Sequence, residues 1–516
     1  MADDSQLTDR LQIMNTRKEI QLVTPQVLGY IALIGTSVIL AVAGLATDFL
    51  FPIAAIIALV FGIWVVKRPF TGFLMYVMMV YLRPADLVPA LATAKVQFIL
   101  LGLLIALWIF DQFIIRKEKF FIEPIDTAIM AFFVVMCLSV GTSVFISHSM
   151  NYIGDFFRFL IFWLLASQIL RTERHVKLFT WMVIGCVAFV AFVQIWTYLT
   201  IGLNRTTGLG GYGIHIGPLN LDTSSPINYG VEENVHGVGG YSAGFLANAS
   251  ELGLAVLAML PFIYYLLPTL KQGWNRAGAI GLLLMYFVSI VVCGARGAFV
   301  GTLVVLMVIF WRSSRKALIA LCVLGVTVIT IPMLPAQYID RIASTSKFEE
   351  DESANIRLTL WTAGLHMIMD RPIIGVGVGC FSQAYGMKYR PPDQPPQWWE
   401  PHNIFVQVTS ELGFIGLAVF LWLLFLTFRE NRRSREKLVA HGEADSFFYN
   451  LTHGIDVGLI GYLVSGCFIT SLYYPHPYLM ALLARSVSVI IRKRYADAEK
   501  AEQAQVPTAV PLEGQI

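Results

Sequence analysis

Two arginines and a histidine stand out because they lie in segments that are otherwise poor in basic residues. Arg296 directly follows an apolar stretch, Arg357 belongs to a segment with helical periodicity, and His402 precedes another apolar stretch. A guanidinium offers a permanent charge and paired donors to an anion, while a neutral imidazole can accept a proton near pH 7. Each residue also has a purely structural interpretation. Arg296 could extend its side chain to the membrane interface, Arg357 could lie on the solvent-facing side of its helix, and His402 could have only a structural role.

His402 is predicted to open a helix that continues through the apolar stretch after it. The positive end of the helix dipole would then disfavour the imidazolium form and leave a neutral ring that can act as a general base. On such a helix Gly413 and Gly416 share the face of His402, which predicts the close approach of a neighbouring helix. Glu411 falls on the opposite face, so we expect it to pair inside the protein and not with His402.

The composition indicates a membrane protein. Of the 516 residues, 56% are hydrophobic and only 14% are charged, and the mean hydropathy is +0.66; soluble domains carry about 25% charged residues. The net charge of +3 gives no indication of nucleic-acid binding, and the six cysteines predict neither a disulfide framework nor a metal-binding cysteine pair. The first 24 residues mix acidic and basic side chains without an apolar core, so no cleavable signal peptide is predicted.

Apolar segments of roughly the length that crosses a bilayer predict an all-α, polytopic protein with about fourteen membrane helices, in a range of about 12–14. They lie at about 26–46, 48–66, 70–82, 96–110, 127–147, 153–170, 177–200, 246–270, 277–294, 298–311, 317–333, 403–428, 453–472 and 477–491. The third is short and could be re-entrant.

The basic residues assign the inner side of the membrane. With the N-terminus inside, 25 of the 37 Lys and Arg residues fall in inner loops and tails and ten in outer loops, as the positive-inside rule requires. Both termini are therefore predicted to face the cytoplasm. The two long segments 201–245 and 334–402 then face the periplasm.

Several short motifs follow one another in the second half of the chain. They are His402-Asn403 followed by Gly413 and Gly416; Arg357 with Trp361 and Ala363; Arg371-Pro372 leading to Gly375 and Gly377; Arg296-Gly297-Ala298; and Phe245-Leu246-Ala247-Asn248. In identity and order they resemble the O-antigen ligase and Wzy-type polymerase family, over roughly residues 205–480. Near the N-terminus, segments 67–72 and 81–84 are similar to O-glycosylation ligases associated with exosortase systems.

The resemblance implies a GT-C-type membrane glycosyltransferase that takes glycan from undecaprenyl diphosphate and needs no metal or other cofactor. It implies that His402 deprotonates or orients the acceptor hydroxyl, and that Arg296 and Arg357 bind the diphosphate leaving group. Guanidinium groups suit the second role, because they hold phosphate oxygens with two parallel hydrogen bonds. The acceptor stays open between a growing polysaccharide, lipid A-core and a protein hydroxyl; the other expected partners are the lipid-linked oligosaccharide and membrane lipids, with no nucleic acid.

Further residues could contact the glycan or the acceptor: Asn248, Asn403, Trp398, Trp399 and Tyr474. The two tryptophans could stack on a sugar ring or anchor the chain at the membrane interface. A separate group of glycines, at positions 375, 377 and 379, predicts a flexible turn near the site; a dinucleotide site is not expected, because no strand precedes them.

Four regions are predicted from these features. They are a cytoplasmic tail at 1–25, an N-terminal transmembrane region at 26–200, an O-antigen ligase/polymerase-like catalytic membrane domain at 201–492, and a disordered cytoplasmic tail at 493–516. The catalytic domain includes the large periplasmic loop 334–402, in which short helices are expected, one of them at about 354–369. The expected location is a bacterial inner membrane, with the site facing the periplasm.

Two other functions compete with a glycosyltransferase. A transporter or flippase of lipid-linked glycan or small anions would show short loops and symmetric halves around a cationic cavity at the midplane. A non-catalytic scaffold of an envelope assembly predicts no convergence of Arg296, Arg357 and His402. The three residues instead fall on one predicted outer face, which favours the enzyme.

Overall fold

The computed structural model describes residues 62–82, 96–115, 117, 120–207, 213–216, 219–222, 249–313, 316–317, 320, 352–392 and 395–505. The predicted span 26–46 lies outside these residues, as do nearly all of 48–66 and 317–333. Asn248 and the motif that ends with it lie outside them as well.

Almost every described element is a helix, as predicted. The helices are α1 (Pro69–Leu82), α2 (Val96–Ile109), α3 (Pro124–Ser139), α4 (Ile146–Ile169), α5 (Glu173–Thr207), α6 (Ala249–Leu266), α7 (Gly273–Cys293), α8 (Arg296–Arg312), α9 (Glu352–Asp370), α10 (Phe381–Ala384), α11 (Ile404–Ala440), α12 (Phe447–Gly466) and α13 (Pro475–Gln505). An antiparallel hairpin departs from the all-α prediction: β1 (Gly213–Ile216) pairs with β2 (Leu219–Asp222). α9 confirms the helix predicted at about 354–369.

Seven of the described helices are long and apolar enough to cross a membrane. The candidate spans are Phe98–Ile115, Pro124–Thr142, Ile146–Ile169, Glu173–Trp196, Ser250–Thr269, Gly273–Cys293 and Ile404–Ala440, and α1 is a shorter apolar helix. The chain is thus a multi-pass membrane protein. The predicted spans 298–311, 453–472 and 477–491 correspond to α8, α12 and α13, which are not among these candidates. The total of about fourteen spans also includes segments outside the described residues and stays a prediction.

The described residues form two compact units, one within 1–77 and 95–119 and the other within 78–94 and 120–516. In the first unit α1 packs against α2, where a β-carbon at Gly72 would lie 3.2 Å from Leu104 Cδ2. The second unit holds all three residues of the predicted catalytic and diphosphate-binding site. α5 runs without interruption through the predicted domain boundary between residues 200 and 201.

Glycines bring the helices of the second unit close together. A β-carbon at Gly458 of α12 would lie 2.5 Å from the carbonyl oxygen of Ala258 in α6. On α8, a β-carbon at Gly301 would lie 2.9 Å from the carbonyl oxygen of Gly461 in α12. Small residues allow helix backbones to approach in this way. The packing holds α8 in place, and with it Arg296 at its first position.

A buried ion pair ties three other helices of this unit together. Arg485 of α13 lies 3.0 Å from a carboxylate oxygen of Asp126 in α3, and their side chains are 0% and 1% exposed. Trp163 of α4 donates its indole N–H to the other oxygen of Asp126 at 2.8 Å. A buried charge depends strongly on such partners, because it has lost its hydration.

Candidate active site

His402 lies just outside α11, which begins at Ile404. Asn403 caps the helix, and its side-chain oxygen accepts hydrogen bonds from the backbone N–H of Phe405 (2.9 Å) and Val406 (3.2 Å). The prediction that His402 opens the helix is therefore wrong, because a capping asparagine keeps an extended backbone and helical geometry starts only after it. Because the side-chain oxygen of Asn403 already accepts these two hydrogen bonds, the NH₂ group is the part of the side chain that could bind a glycan.

The backbone of His402 is strained, and a residue far away in the sequence holds it by a hydrogen bond. Its φ of +48° lies in the left-handed region, which costs a residue with a side chain on the order of 1–3 kcal/mol. The backbone N–H of His402 donates to Oγ1 of Thr470 at 3.0 Å. The Thr470 hydroxyl also lies close enough to the Glu400 carboxylate to lower the pKa of Glu400 as a hydrogen-bond donor. Tertiary contacts, and not helix geometry, therefore set the position of His402.

α9 brings Arg357 to His402. Trp361, one helical turn after Arg357 and on the same face, donates its indole N–H to the carbonyl oxygen of Pro401 at 2.9 Å. Pro401 immediately precedes His402. Across this junction the charge of the Arg357 guanidinium acts on the His402 imidazole.

The surroundings of His402 keep its ring neutral. His402 is exposed at the protein surface, but many protein atoms surround its imidazole on the inner side. This loss of hydration, and second the positive charge of Arg357, lower the pKa of His402 to about 4. The ring is therefore neutral at neutral pH, and it is a weaker base than an ordinary histidine.

Arg296 approaches the same region through the turn between α12 and α13 (residues 467–474). It is the half-buried first residue of α8. Beside it, a β-carbon at Gly297 would lie 2.9 Å from Cβ of Phe468 in the α12–α13 turn. Thr470 of that turn holds the backbone of His402. One turn thus contacts both the start of α8 and His402, while Arg357 reaches His402 from α9.

α11 kinks at Gly413, where the backbone leaves helical geometry at φ +68°. A kink removes helical hydrogen bonds on both of its sides, and a glycine-rich turn (residues 372–379) replaces them. The backbone N–H of Val376 donates to the Ser410 carbonyl at 2.9 Å, and the Phe414 N–H donates to the Pro372 carbonyl at 2.8 Å. This turn therefore fixes the direction in which α11 leaves the site.

The glycine-rich turn is present as predicted, but it is packed and hydrogen-bonded. Gly375, Gly377 and Gly379 all have positive φ, at +76°, +111° and +67°. Gly413 faces the backbone of this turn, and Gly416 faces a leucine side chain of its own helix. Neither glycine serves the predicted approach of a neighbouring helix, because the kink at Gly413 places an irregular segment there.

Glu411 pairs inside the protein, as predicted. Its carboxylate accepts hydrogen bonds from the Tyr473 hydroxyl at 2.5 Å and from the backbone N–H of Gly379 at 2.9 Å. Only 2% of Glu411 is exposed. The carboxylate therefore joins α11 to the glycine-rich turn and to the α12–α13 turn.

The two predicted tryptophans have different surroundings. Trp398 is 57% exposed, and a β-carbon at Gly386 would lie 2.6 Å from its ring. Trp399 is half-buried and stacks on the buried Tyr385, with ring centroids 6.5 Å apart. Tyr474 is half-buried in the α12–α13 turn. Trp398 therefore presents a free ring face, whereas Trp399 belongs to the packing of the loop.

Sequence reasoning missed Glu400 and Thr470. Crowding by protein atoms raises the pKa of Glu400 although the residue is exposed, and Thr470 and the charge of His148 lower it. The position of Glu400, two residues before His402, was a readable signal, whereas Thr470 lies 68 residues away and carried none. Within the described part of the chain, no group of three or more His, Cys, Asp or Glu side chains is placed to hold a metal ion.

Comparison with known proteins gives a family for part of the chain. Residues 280–421, which include Arg296, Arg357 and His402, match the O-antigen ligase family. A protein of Rickettsia conorii named as a predicted polysaccharide ligase is 24% identical over 193 residues, which cover 36% of this chain and 46% of that protein. One of the same description from Rickettsia prowazekii is 32% identical over 106 residues, which cover 19% of this chain and 26% of that protein.

The chain therefore spans less than half the length of either relative. The similarity of its N-terminal region to exosortase-associated ligases stays a prediction. Residues 280–421 match the O-antigen ligase family, and they include the three residues that the structure gathers around the α9–α11 junction and the α12–α13 turn.

Proposed function

We propose that the protein is a GT-C-type membrane glycosyltransferase that passes glycan from undecaprenyl diphosphate to an acceptor hydroxyl, at the periplasmic face of a bacterial inner membrane. The interaction of Arg357 with His402 carries the proposal. A cation beside a neutral base suits a reaction in which an anionic group departs while a hydroxyl loses its proton. The family match over the same residues supports it.

In the proposed reaction the acceptor oxygen attacks the anomeric carbon of the donor sugar. The bond from that carbon to the diphosphate oxygen breaks, and its electron pair leaves with undecaprenyl diphosphate. Arg357 and Arg296 bind this leaving group and offset the charge that develops on it. His402 accepts the hydroxyl proton and later releases it to water. The glycosyl diphosphate bond supplies the energy.

Donor binding should make His402 a stronger base. In the free protein, crowding and the charge of Arg357 hold its pKa at about 4. A diphosphate bound to Arg357 would offset that positive charge and add negative charge beside the imidazole. Nearby negative charge favours the protonated form and so raises the pKa of a histidine. Proton uptake is then favoured when the donor is in place.

Exposed tryptophans support the proposed orientation. Trp274 at the start of α7 is 90% exposed and Trp311 at the end of α8 is 76% exposed. Each tryptophan lies at the end of its helix that is farther along the chain from Arg296 and the α7–α8 connection, near Arg276 or Arg312. Aromatic residues mark membrane interfaces, and basic residues mark the cytoplasmic one. The site at the other end of these helices would then face the periplasm.

Reconstitution tests the proposal. The purified protein in vesicles receives undecaprenyl-diphosphate-linked oligosaccharide and one of three acceptors: a polysaccharide chain, lipid A-core or a protein rich in Ser and Thr. We expect one acceptor to be extended as the donor is consumed, and Arg357→Ala to abolish the reaction. Movement of the donor across the bilayer without consumption would identify a flippase and contradict the proposal. Failure to consume the donor with any acceptor would contradict it too.

A further inference from the structure

The segment Glu400–Pro401–His402 is fixed from two sides. On one side, Trp361 of α9 holds the Pro401 carbonyl at 2.9 Å. On the other, Thr470 accepts the His402 backbone N–H at 3.0 Å. The second contact lies at the one residue of this segment with a left-handed backbone, φ +48°.

The Thr470 hydroxyl has a single proton, and its use follows from its neighbours. Its oxygen accepts from His402, so its proton is available to the Glu400 carboxylate, which lies close enough for Thr470 to lower its pKa. A carboxylate can only accept, so the direction of both bonds is set. The chain of bonds therefore runs from the His402 backbone through Thr470 to Glu400.

Glu400 and the His402 ring have different electrostatic neighbours. The charge of Glu400 acts on Tyr152 of α4 and on Glu411 of α11, and His148 of α4 acts on Glu400. The His402 ring is instead influenced by Arg357 of α9. Thr470 thus links Glu400 to the backbone of this segment, while the charge of Arg357 acts on the imidazole.

We propose that Thr470 and Glu400 are positioning residues, which hold the peptide of His402 in its left-handed conformation and so direct the imidazole to Arg357. The inference rests on the proposed function for its catalytic consequence, because a misplaced base slows transfer without weakening donor binding. Its structural consequence stands apart from that function. Without the Thr470 hydroxyl, the His402 ring, which is already exposed, should leave the protein atoms that crowd its inner side and react faster with reagents.

The test compares Thr470→Val, which removes the hydroxyl at nearly constant volume, with Thr470→Ser, which keeps it. Thr427→Val is the matched control, because the Thr427 hydroxyl donates to the Leu423 carbonyl of its own helix at 2.8 Å. We expect Thr470→Val to lower kcat about 10- to 100-fold, with KM for the donor changed less than about twofold. Thr470→Ser should keep at least half of the wild-type kcat, and Thr427→Val should behave as the wild type.

A second measurement is the rate at which diethyl pyrocarbonate modifies His402, read by mass spectrometry against the exposed His366 in the same sample. We expect Thr470→Val to raise this rate several-fold and Thr470→Ser to leave it unchanged. An unchanged rate in Thr470→Val overturns the proposal whatever the turnover. So does an unchanged kcat, or a loss in Thr470→Ser as large as that in Thr470→Val. Absence of transfer in the wild type would instead refute the proposed function, and the modification rate would still decide the positioning role.

Glu400 is tested in the same two measurements. Glu400→Gln keeps an oxygen that can accept from Thr470, so it should retain most of the wild-type kcat. Glu400→Ala removes the acceptor and should resemble Thr470→Val. Equal losses in Glu400→Gln and Glu400→Ala would show that the carboxylate acts through its charge, and would contradict its role as a positioning residue.

Discussion

The guanidinium of Arg357 and the imidazole of His402 interact across the junction of α9 and α11, although 45 positions separate them in the chain. A hydrogen bond from the Trp361 indole N–H to the Pro401 carbonyl joins the two segments at this junction. As a result, the residue proposed to bind the leaving group also contributes, after the loss of hydration, to the low pKa of the residue proposed to act as the base. The two roles are coupled through one electrostatic contact.

The first prediction concerns this contact. Arg357→Gln removes a positive charge beside the imidazole and should therefore raise the pKa of His402 above about 4. The pKa should stay below the ordinary value of about 6.5, because crowding by protein atoms remains. Titration of isotope-labelled histidine by NMR measures the shift, with the exposed Arg432→Gln as control. An unchanged midpoint in Arg357→Gln would show that the two groups do not interact.

The second prediction concerns the leaving group. Arg357→Lys should lower the rate of transfer about 10- to 100-fold, because one ammonium does not replace two parallel hydrogen bonds to a diphosphate. Arg296→Ala should lower it as well, and Arg432→Lys should not. Full activity in both Arg296→Ala and Arg357→Ala would exclude the proposed diphosphate role.

The third prediction concerns the kink in α11. Gly413→Ala adds a methyl group that collides with the backbone of Ile373, at a residue whose φ is +68°. Gly442→Ala is the matched control, because its φ is +73° but no atom lies within 4 Å of the added carbon. We expect a loss of unfolding free energy of about 1 kcal/mol at Gly442 and on the order of 3 kcal/mol at Gly413. Equal losses would mean that the glycine-rich turn does not pack against the kink.

The fourth prediction concerns the buried pair. Arg485→Met leaves Asp126 charged and without its partner, so it should lower the unfolding free energy by about 3–5 kcal/mol. The double variant Asp126→Leu/Arg485→Met removes both charges and should recover much of that loss. The control is Arg432→Met, which should change the unfolding free energy little because the Arg432 side chain is 79% exposed. A double variant no more stable than Arg485→Met would contradict this account of the pair.

The fifth prediction concerns orientation. In a background without native cysteines, a cysteine at Met387 should react with an impermeant thiol reagent from the periplasm, and one at Glu436 should not. Both positions are well exposed, at 60% and 59%. Ser434 lies nearer the centre of the basic segment but is only 2% exposed, so a missing reaction there would have no meaning. Labelling of Glu436→Cys from outside would reverse the proposed topology.

The helices were largely predictable from the sequence, because charged or glycine-rich segments end each apolar stretch. α7 and α8, for example, end within a few residues of the predicted bounds. The start of α11 was missed although its signal was present: Asn403 is a strong capping residue and excludes His402 from the helix. The kink at Gly413 could not be read locally, because it depends on a turn about 40 residues earlier in the chain.

The charged and titratable residues of the candidate site were predictable from the sequence, but the hydrogen bonds that hold them in place were not. Arg357 and His402 were readable as charged or titratable groups in segments predicted to lie outside, and the structure brings them together. Their positions depend on Trp361 and Thr470, whose hydrogen bonds cross 40 and 68 residues. Such bonds follow from tertiary packing, so the left-handed backbone of His402 had no signature in its own segment.

The rate of glycan transfer by the His402→Ala variant is the most direct test of the central claim, that His402 is the catalytic base. The variant and the wild type are compared at saturating undecaprenyl-diphosphate-linked donor, with donor binding measured separately and the exposed His366→Ala as control. If His402 is the base, His402→Ala binds the donor as the wild type does and transfers glycan about 10²- to 10⁴-fold more slowly. Turnover above roughly a tenth of the wild-type value would contradict that role, because the loss would then be smaller than the loss expected when a general base is removed.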